Sequence, residues 1–166
     1  MRVALRIDVL TLDAARRGVP AILGLLEQYS VTASFFVSLG PPRLADVDLT
    51  GSRGWFAHAR AGLGRSLGRR PDLGSTCADE FRAIQAAGHD LGLCAFDALA
   101  WQENAAEAST GWMEEAVQRA SEAFSELFGH APTAFSAPGW QVNPTLFALE
   151  QTLGLSYASD TRGKYP

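Results

Sequence analysis

The feature that most constrains this chain is a rhythm, in which short apolar runs alternate with segments spaced and punctuated like helices. The runs are Val3–Val9, Thr32–Ser38, Asp90–Phe96, Thr133–Ser136 and Leu155–Ala158. The first three are nearly continuous rather than alternating, as expected of strands covered on both faces. Between them, Val19-Pro20 opens a helical pattern with proline at an early position, where its missing N–H costs nothing. A second helix is predicted over Cys77–Ala87, after a possible cap at Thr76 and before Gly88. A third runs from Ser109 or Thr110 to Phe128, with Trp112, Ala116, Ala120, Phe124 and Leu127 on one stripe and Gly129 as terminator. A fourth opens at Asn143-Pro144 and carries Leu146, Phe147 and Leu149.

Such alternation predicts an α/β protein with a mostly parallel sheet. A βα unit takes roughly 30 residues, so 166 residues hold about five units. A closed (β/α) barrel needs about 250 residues. The expectation is a single domain over 1–166, either an open sheet or an incomplete barrel.

Composition narrows the function classes. A net charge of −4 gives no global attraction to nucleic acid. Cys77 and Cys94 are the only cysteines, too few for a disulfide framework and suited to a reducing compartment. The opening residues meet Asp8 at once and do not read as a signal peptide. No 18 consecutive residues are apolar, so no spanning helix is predicted. The expected location is the cytoplasm, with peripheral contact to the inner membrane as an option.

That option comes from one stretch, inside a basic insertion at about 41–74. Gly51–Arg70 holds Arg53, Arg60, Arg65, Arg69 and Arg70 and no acidic residue. Trp55, Phe56, Ala59, Leu63 and Leu67 fall near one helical face, the pattern of a basic amphipathic segment. Gly54, Gly62, Gly64 and Gly68 each weaken a helix there by up to roughly 1 kcal/mol. Two readings stand: a plain surface insertion, or a contact for anionic lipid or phosphate.

Ligands of parallel α/β folds bind at the carboxyl ends of the strands. Asp8, Cys94 with Asp97, Ser136–Trp140, and Asp160 with Arg162 all fall at such ends, on four different strands, and are predicted to converge.

Taken in order, these segments resemble a known family. Arg6-Ile7-Asp8-Val9-Leu10-Thr11, Gly18-Val19-Pro20 and Ala33–Pro41 look like the opening of the 4-deoxy-4-formamido-L-arabinose-phosphoundecaprenol deformylases. These belong to the polysaccharide deacetylase (NodB-type) superfamily. Gly88–Gln102 is similar to their second motif, and Phe135–Trp140 and Tyr157–Gly163 resemble the third and fourth. The likeness covers nearly the whole chain.

The resemblance implies a distorted barrel of about seven βα units, hydrolysing an N-acyl group on a sugar with a divalent metal (zinc, cobalt or nickel). This chain would supply about five of those units, with the later strands and a late histidine acid falling past Pro166. In the family's first motif, Arg-Ile-Asp-x-Asp, the first aspartate is the general base and the second binds metal. The second motif, His-x-x-x-His, supplies two imidazoles, four residues apart as on one helical turn. Mapped onto this chain, Asp8 keeps the place of the base. Leu10 replaces the metal-binding aspartate, Cys94 the first histidine and Ala98 the second. No intact metal set remains and no cofactor is expected. Asp97, Trp101, Trp140, Asp160 and Arg162 map to substrate-binding positions.

Each residue also has a plainer reading. Asp8 is either a functional carboxylate or a hydrogen-bonded relic held by backbone amides or Arg162. Cys94 is a small apolar filler or a reactive thiol. Trp140 lines a sugar pocket or packs a turn, and Asp160 pairs with Arg162 or meets substrate. The expected function is a divergent, shortened member of a carbohydrate N-deacylase or deformylase family without metal-dependent activity of its own. One alternative is a live hydrolase with a rearranged site of Asp8, Asp13, Cys94 and Asp97. The other is a non-catalytic binding or assembly module, since uncovered sheet edges invite self-association or a partner chain. Lipid-linked sugar or an anionic membrane surface, met through 51–70, completes the expected partners.

Overall fold

A computed structural model describes residues 4–42 and 72–161. The basic stretch 51–70 and Arg162 lie outside the described residues. The five predicted strands are all present, shorter than the apolar runs: β1 (Arg6–Val9), β2 (Ser34–Val37), β3 (Asp90–Leu93), β4 (Ala134–Phe135) and β5 (Tyr157–Ala158). They form one parallel sheet in the order β1-β2-β3-β4-β5. Parallel crossovers are almost always right-handed, so strands stepping steadily in one direction carry their helices on one face. A doubly wound sheet reverses direction at a switch point. This one does not, and its order is that of a barrel segment.

The pleat sorts the side chains. Val9, Phe35, Val37, Leu91, Leu93 and Phe135 enter the main core with the helices. Phe36, Cys94 and Ala134 form a small second cluster, with Leu10 packed against it. Asp8 shares this other face, because its register partners are Phe36 and, through it, Gly92. A side chain at Gly92 would strike the Phe36 ring, which passes 2.6 Å from the position a Cβ would take. Burial on both faces holds for most of β2 and β3. It fails for β1, where Asp8 is exposed and Arg6 and Ile7 are half-buried, because an edge strand has only one neighbour.

Helix punctuation was partly legible. α1 (Val19–Gln28) does contain Pro20 near its start, but it continues from a π-helical stretch at Ala14–Gly18 rather than beginning at a cap. Proline lacks an N–H and crowds the preceding turn, and a wider π turn just before it absorbs both effects. Thr76 does not cap the next helix: it ends a one-turn helix, α2 (Leu73–Thr76), and α3 (Ala78–Ala86) follows without a side-chain cap. Gly88, at φ 79°, closes α3 as predicted. α4 (Ala98–Asn104) was not anticipated. α5 (Thr110–Phe128) starts at Ser109, whose side chain accepts from the Trp112 N–H, and stops at left-handed Gly129. Its buried line is Met113, Val117, Ala120 and Phe124, while Trp112, Ala116 and Leu127 lie at the margins. α6 (Pro144–Thr152) is capped by the Asn143 side chain and buries Leu146, but Phe147 faces solvent.

Candidate functional site

Arg6 organises the carboxyl-end face. Its Nε and Nη2 donate to the two carboxylate oxygens of Asp8, each at 2.8 Å. Nη2 also reaches the Ala137 carbonyl at 3.3 Å, and Nη1 donates to the Ser159 carbonyl. The guanidinium lies 4.1 Å from the Trp140 ring centre and 5.5 Å from that of Phe36, a stacked cation on two aromatic faces. One arginine on β1 thus holds the exits of β4 and β5. In a flat sheet β1 and β5 would stand about 19 Å apart, beyond the reach of any side chain, so the sheet is curled around Arg6. The Phe36 and Tyr157 rings, on β2 and β5, also meet edge to face at 6.2 Å across this concave side.

Several predicted site residues converge here. Asp8, Cys94, Ser136, Trp140 and Asp160 all stand at the strand exits around Arg6. Asp8 is held by Arg6, not by backbone amides. Asp160 is almost fully buried and accepts the Ala137 N–H on Oδ1 at 2.5 Å. Trp140 is held at φ 61°, next to Gly139 at φ 63°. A left-handed tryptophan is costly, and this turn (138–140) uses it to set the indole over Arg6.

Cys94 is fully buried, with its sulfur 3.8 Å from the Ser136 hydroxyl. Burial, with the nearby Asp8 charge, pushes its thiol up to about 12. The thiolate is the nucleophile and the ligand form, and burial keeps this cysteine as the neutral thiol at neutral pH.

Two predicted residues sit elsewhere. Asp97 caps α4, its Oδ1 accepting from the Leu99 and Ala100 N–H groups at 3.0 Å. Trp101 is buried and donates its indole N–H to the Gln141 carbonyl at 2.9 Å. Both line an open cleft of about 330 Å³ with Phe96, Trp112, Glu115 and Arg119, between the β3–α4 link and α5. An aspartate followed by Ala-Leu-Ala is a capping signal, so α4 was findable in the sequence. Nothing in the sequence singled out Arg6, Phe36 or Ser159 as partners.

A divalent metal does not fit these residues. Among the described residues, no three of His, Cys, Asp and Glu gather as a ligand set. At the positions the resemblance assigns to ligands stand Leu10, packed in the apolar cluster, the buried Cys94 thiol, and the buried Ala98. The helical-turn spacing expected of 94 and 98 is also corrected. Cys94 directly follows β3 and Ala98 begins α4, so the two positions do not share one helical turn. The rearranged set of Asp8, Asp13, Cys94 and Asp97 does not assemble either. Asp13 is on the surface with Arg17, and Asp97 is committed to its cap.

Comparison with known proteins agrees with this architecture. Residues 3–158 match the polysaccharide deacetylase family. A protein of Shewanella sediminis assigned as a 4-deoxy-4-formamido-L-arabinose-phosphoundecaprenol deformylase is 26% identical, over 98% of this chain and 57% of its own length. The chain therefore spans little more than half of that relative. Among solved structures, a CE4-family pseudoenzyme from Bacillus anthracis superposes with a TM-score of 0.60 at 13% identity, over 93% of this chain and 41% of its own. A family 4 acetyl xylan esterase from Clostridium thermocellum, solved with cobalt, gives a TM-score of 0.56 at 17% identity, over 94% and 56% of the two chains. With the family match running from before β1 into β5, and the fold agreeing, the chain belongs to the polysaccharide deacetylase family.

Proposed function

We propose that this chain is a carbohydrate-binding derivative of the sugar N-deacylase and deformylase lineage that does not carry out metal-dependent hydrolysis. The observation that carries the reading is the Arg6–Asp8 pair. Both oxygens of the one retained acidic position are taken by a guanidinium, and the neighbouring side chains Leu10 and Cys94 are packed and uncharged at neutral pH. A metal acts by polarising the acyl oxygen and lowering the pKa of its water, and nothing in this cluster supplies an equivalent. What the face offers instead is the aromatic surface of Trp140, with Arg6 above it, at the strand exits, where ligands of parallel α/β folds bind.

The ligand class we favour is a formamido or acetamido sugar on a polyprenyl phosphate, following the deformylase relative. The roots of the basic insertion suit this choice. Leu73 N–H bonds to the Gly40 carbonyl at 2.9 Å and Gly74 N–H to that of Leu39 at 2.8 Å, so the chain leaves and re-enters at the carboxyl end of β2. The five arginines of the stretch 51–70 within it carry the positive charge that a phosphate or an anionic headgroup would call for.

Calorimetric titration with Zn²⁺, Co²⁺ and Ni²⁺ tests the central claim. The chain itself should bind none of them tightly. The variant Leu10→Asp, Cys94→His, Ala98→His should bind about one ion, with water in the open positions. Stoichiometric tight binding by the unmodified chain would overturn the proposal in favour of a live hydrolase.

A further inference from the structure

One face of α5 is left beside the main core rather than in it. Met113, Val117, Ala120 and Phe124 are buried, whereas Trp112 and Ala116 are only partly covered and Glu115 and Arg119 are exposed. These last four, spaced by three and four residues, share one side of the helix. Together with Phe96 and Asp97 of the β3–α4 link they line the open cleft of about 330 Å³, a size at the lower end of small-molecule sites. Trp101 closes its inner side, 1% exposed and with its indole N–H given to the Gln141 carbonyl.

Three charged groups line this cleft, and none is neutralised by another. The Arg119 guanidinium lies 4.0 Å from the Phe96 ring centre, a cation–π contact. It makes no ion pair with any described residue, although Glu115 is one turn away on the same helix. The Oδ1 of Asp97 accepts from the Leu99 and Ala100 N–H groups, and its Oδ2 has no hydrogen-bond partner among the described residues. Uncommitted acceptors and an uncommitted donor group thus stand around two partly covered aromatic rings, Phe96 and Trp112.

We propose that this cleft is a second saccharide site, apart from the strand-exit face, taking one neutral pyranose unit of a glycan. The charges decide the class. An anion would meet Asp97 and Glu115, and a cation would meet Arg119. An apolar molecule would strip water from all three without replacing its hydrogen bonds. A neutral sugar does none of these. Its hydroxyls donate to the carboxylates and accept from the guanidinium, while its C–H faces lie against the aromatic rings. The residues of this cleft are not those around Arg6, so the two sites stand or fall separately.

Nitrogen-15 NMR of the intact chain, titrated with the trisaccharide of N-acetylglucosamine, reads both places at once. The Trp112 indole N–H and the Arg119 Nε–H signals should shift together and saturate. Arg119→Met keeps an unbranched stem and removes the charged donors, and Trp112→Ala removes a ring. Each should weaken cleft binding about tenfold, the loss expected of one charge-assisted hydrogen bond or one stacked ring. Shifts at the Trp140 indole N–H, which reports the strand exits, should be the same in Arg119→Met as in the unmodified chain. Saccharide shifts confined to Trp140, or none at all, overturn the second site, and so does an Arg119→Met variant that binds as tightly as the unmodified chain. Inorganic phosphate is the control, and a larger Arg119 shift with phosphate than with the sugar would mark an anion site and overturn the proposal. If Trp112→Ala does not fold, the variant at exposed Arg119 decides alone. The metal titration judges the strand-exit reading independently.

Discussion

On the helix side of the sheet, Phe35, Val37, Leu93 and Phe135 are sealed under α3, α5 and their neighbours, in one continuous apolar core. On the concave side the same strands carry a four-residue apolar cluster and one ion pair. The two faces differ in what a change would disturb. Helix-side residues are held by many small dispersion contacts, so their loss is felt as a cavity. Concave-side residues are held by a few directed contacts converging on Arg6, so loss of one partner strands the others. Selection for a folded chain preserves the first kind of order. In the function proposed above, the second is what remains of a site.

The largest test of this contrast is on the helix side. Trp101 is buried and packs its ring near Phe135 and Trp112. Trp101→Ala should cost about 3–5 kcal/mol in denaturant unfolding, with the Arg6 region otherwise intact by NMR. If this variant cost less than Arg6→Met, the ranking of the faces would be reversed. Arg6→Met removes the shared donor of Asp8, Ala137 and Ser159, and should cost about 2–3 kcal/mol. Part of that loss should return in Arg6→Met with Asp8→Asn, where no uncompensated charge remains. An absence of coupling in that cycle would show that the pair does not hold the face together.

A smaller effect is expected where the concave face is tightest. Gly92→Ala drives a methyl into the Phe36 ring and should cost about 1–3 kcal/mol. Adding Phe36→Leu should relieve the clash, and a strictly additive double mutant would contradict it. Least of all, Asp13→Ala should change stability by under about 0.5 kcal/mol, since its pair with Arg17 is solvent-exposed. In the native chain, Cys94 should resist thiol reagents at neutral pH, in keeping with its buried, raised thiol. Rapid labelling without unfolding would show the concave face to be open.

The α/β class, the five strands and the ends of α5 were legible in the sequence because they rest on local physics. Continuous apolar runs, Ser109 before a helical stripe and Gly129 after it act over a few residues, whatever the rest of the chain does. The convergence of Asp8, Cys94, Ser136, Trp140 and Asp160 was also readable, since parallel strands share one carboxyl end. Local signals misled where packing chose between near-equal options. The buried line of α5 runs through Met113 and Val117 rather than Trp112 and Ala116. The sequence by itself thus determined the class, the order of elements and which side chains stand at Leu10, Cys94 and Ala98, each a property of residue type. Only the tertiary structure decided that Arg6 reaches the exits of β4 and β5 and that Asp97 and Trp101 face a separate cleft. The partners of Arg6 lie from 2 to 153 positions away along the chain. The curl of the sheet places Arg6 among the exits of β4 and β5, and no local preference encodes that curl.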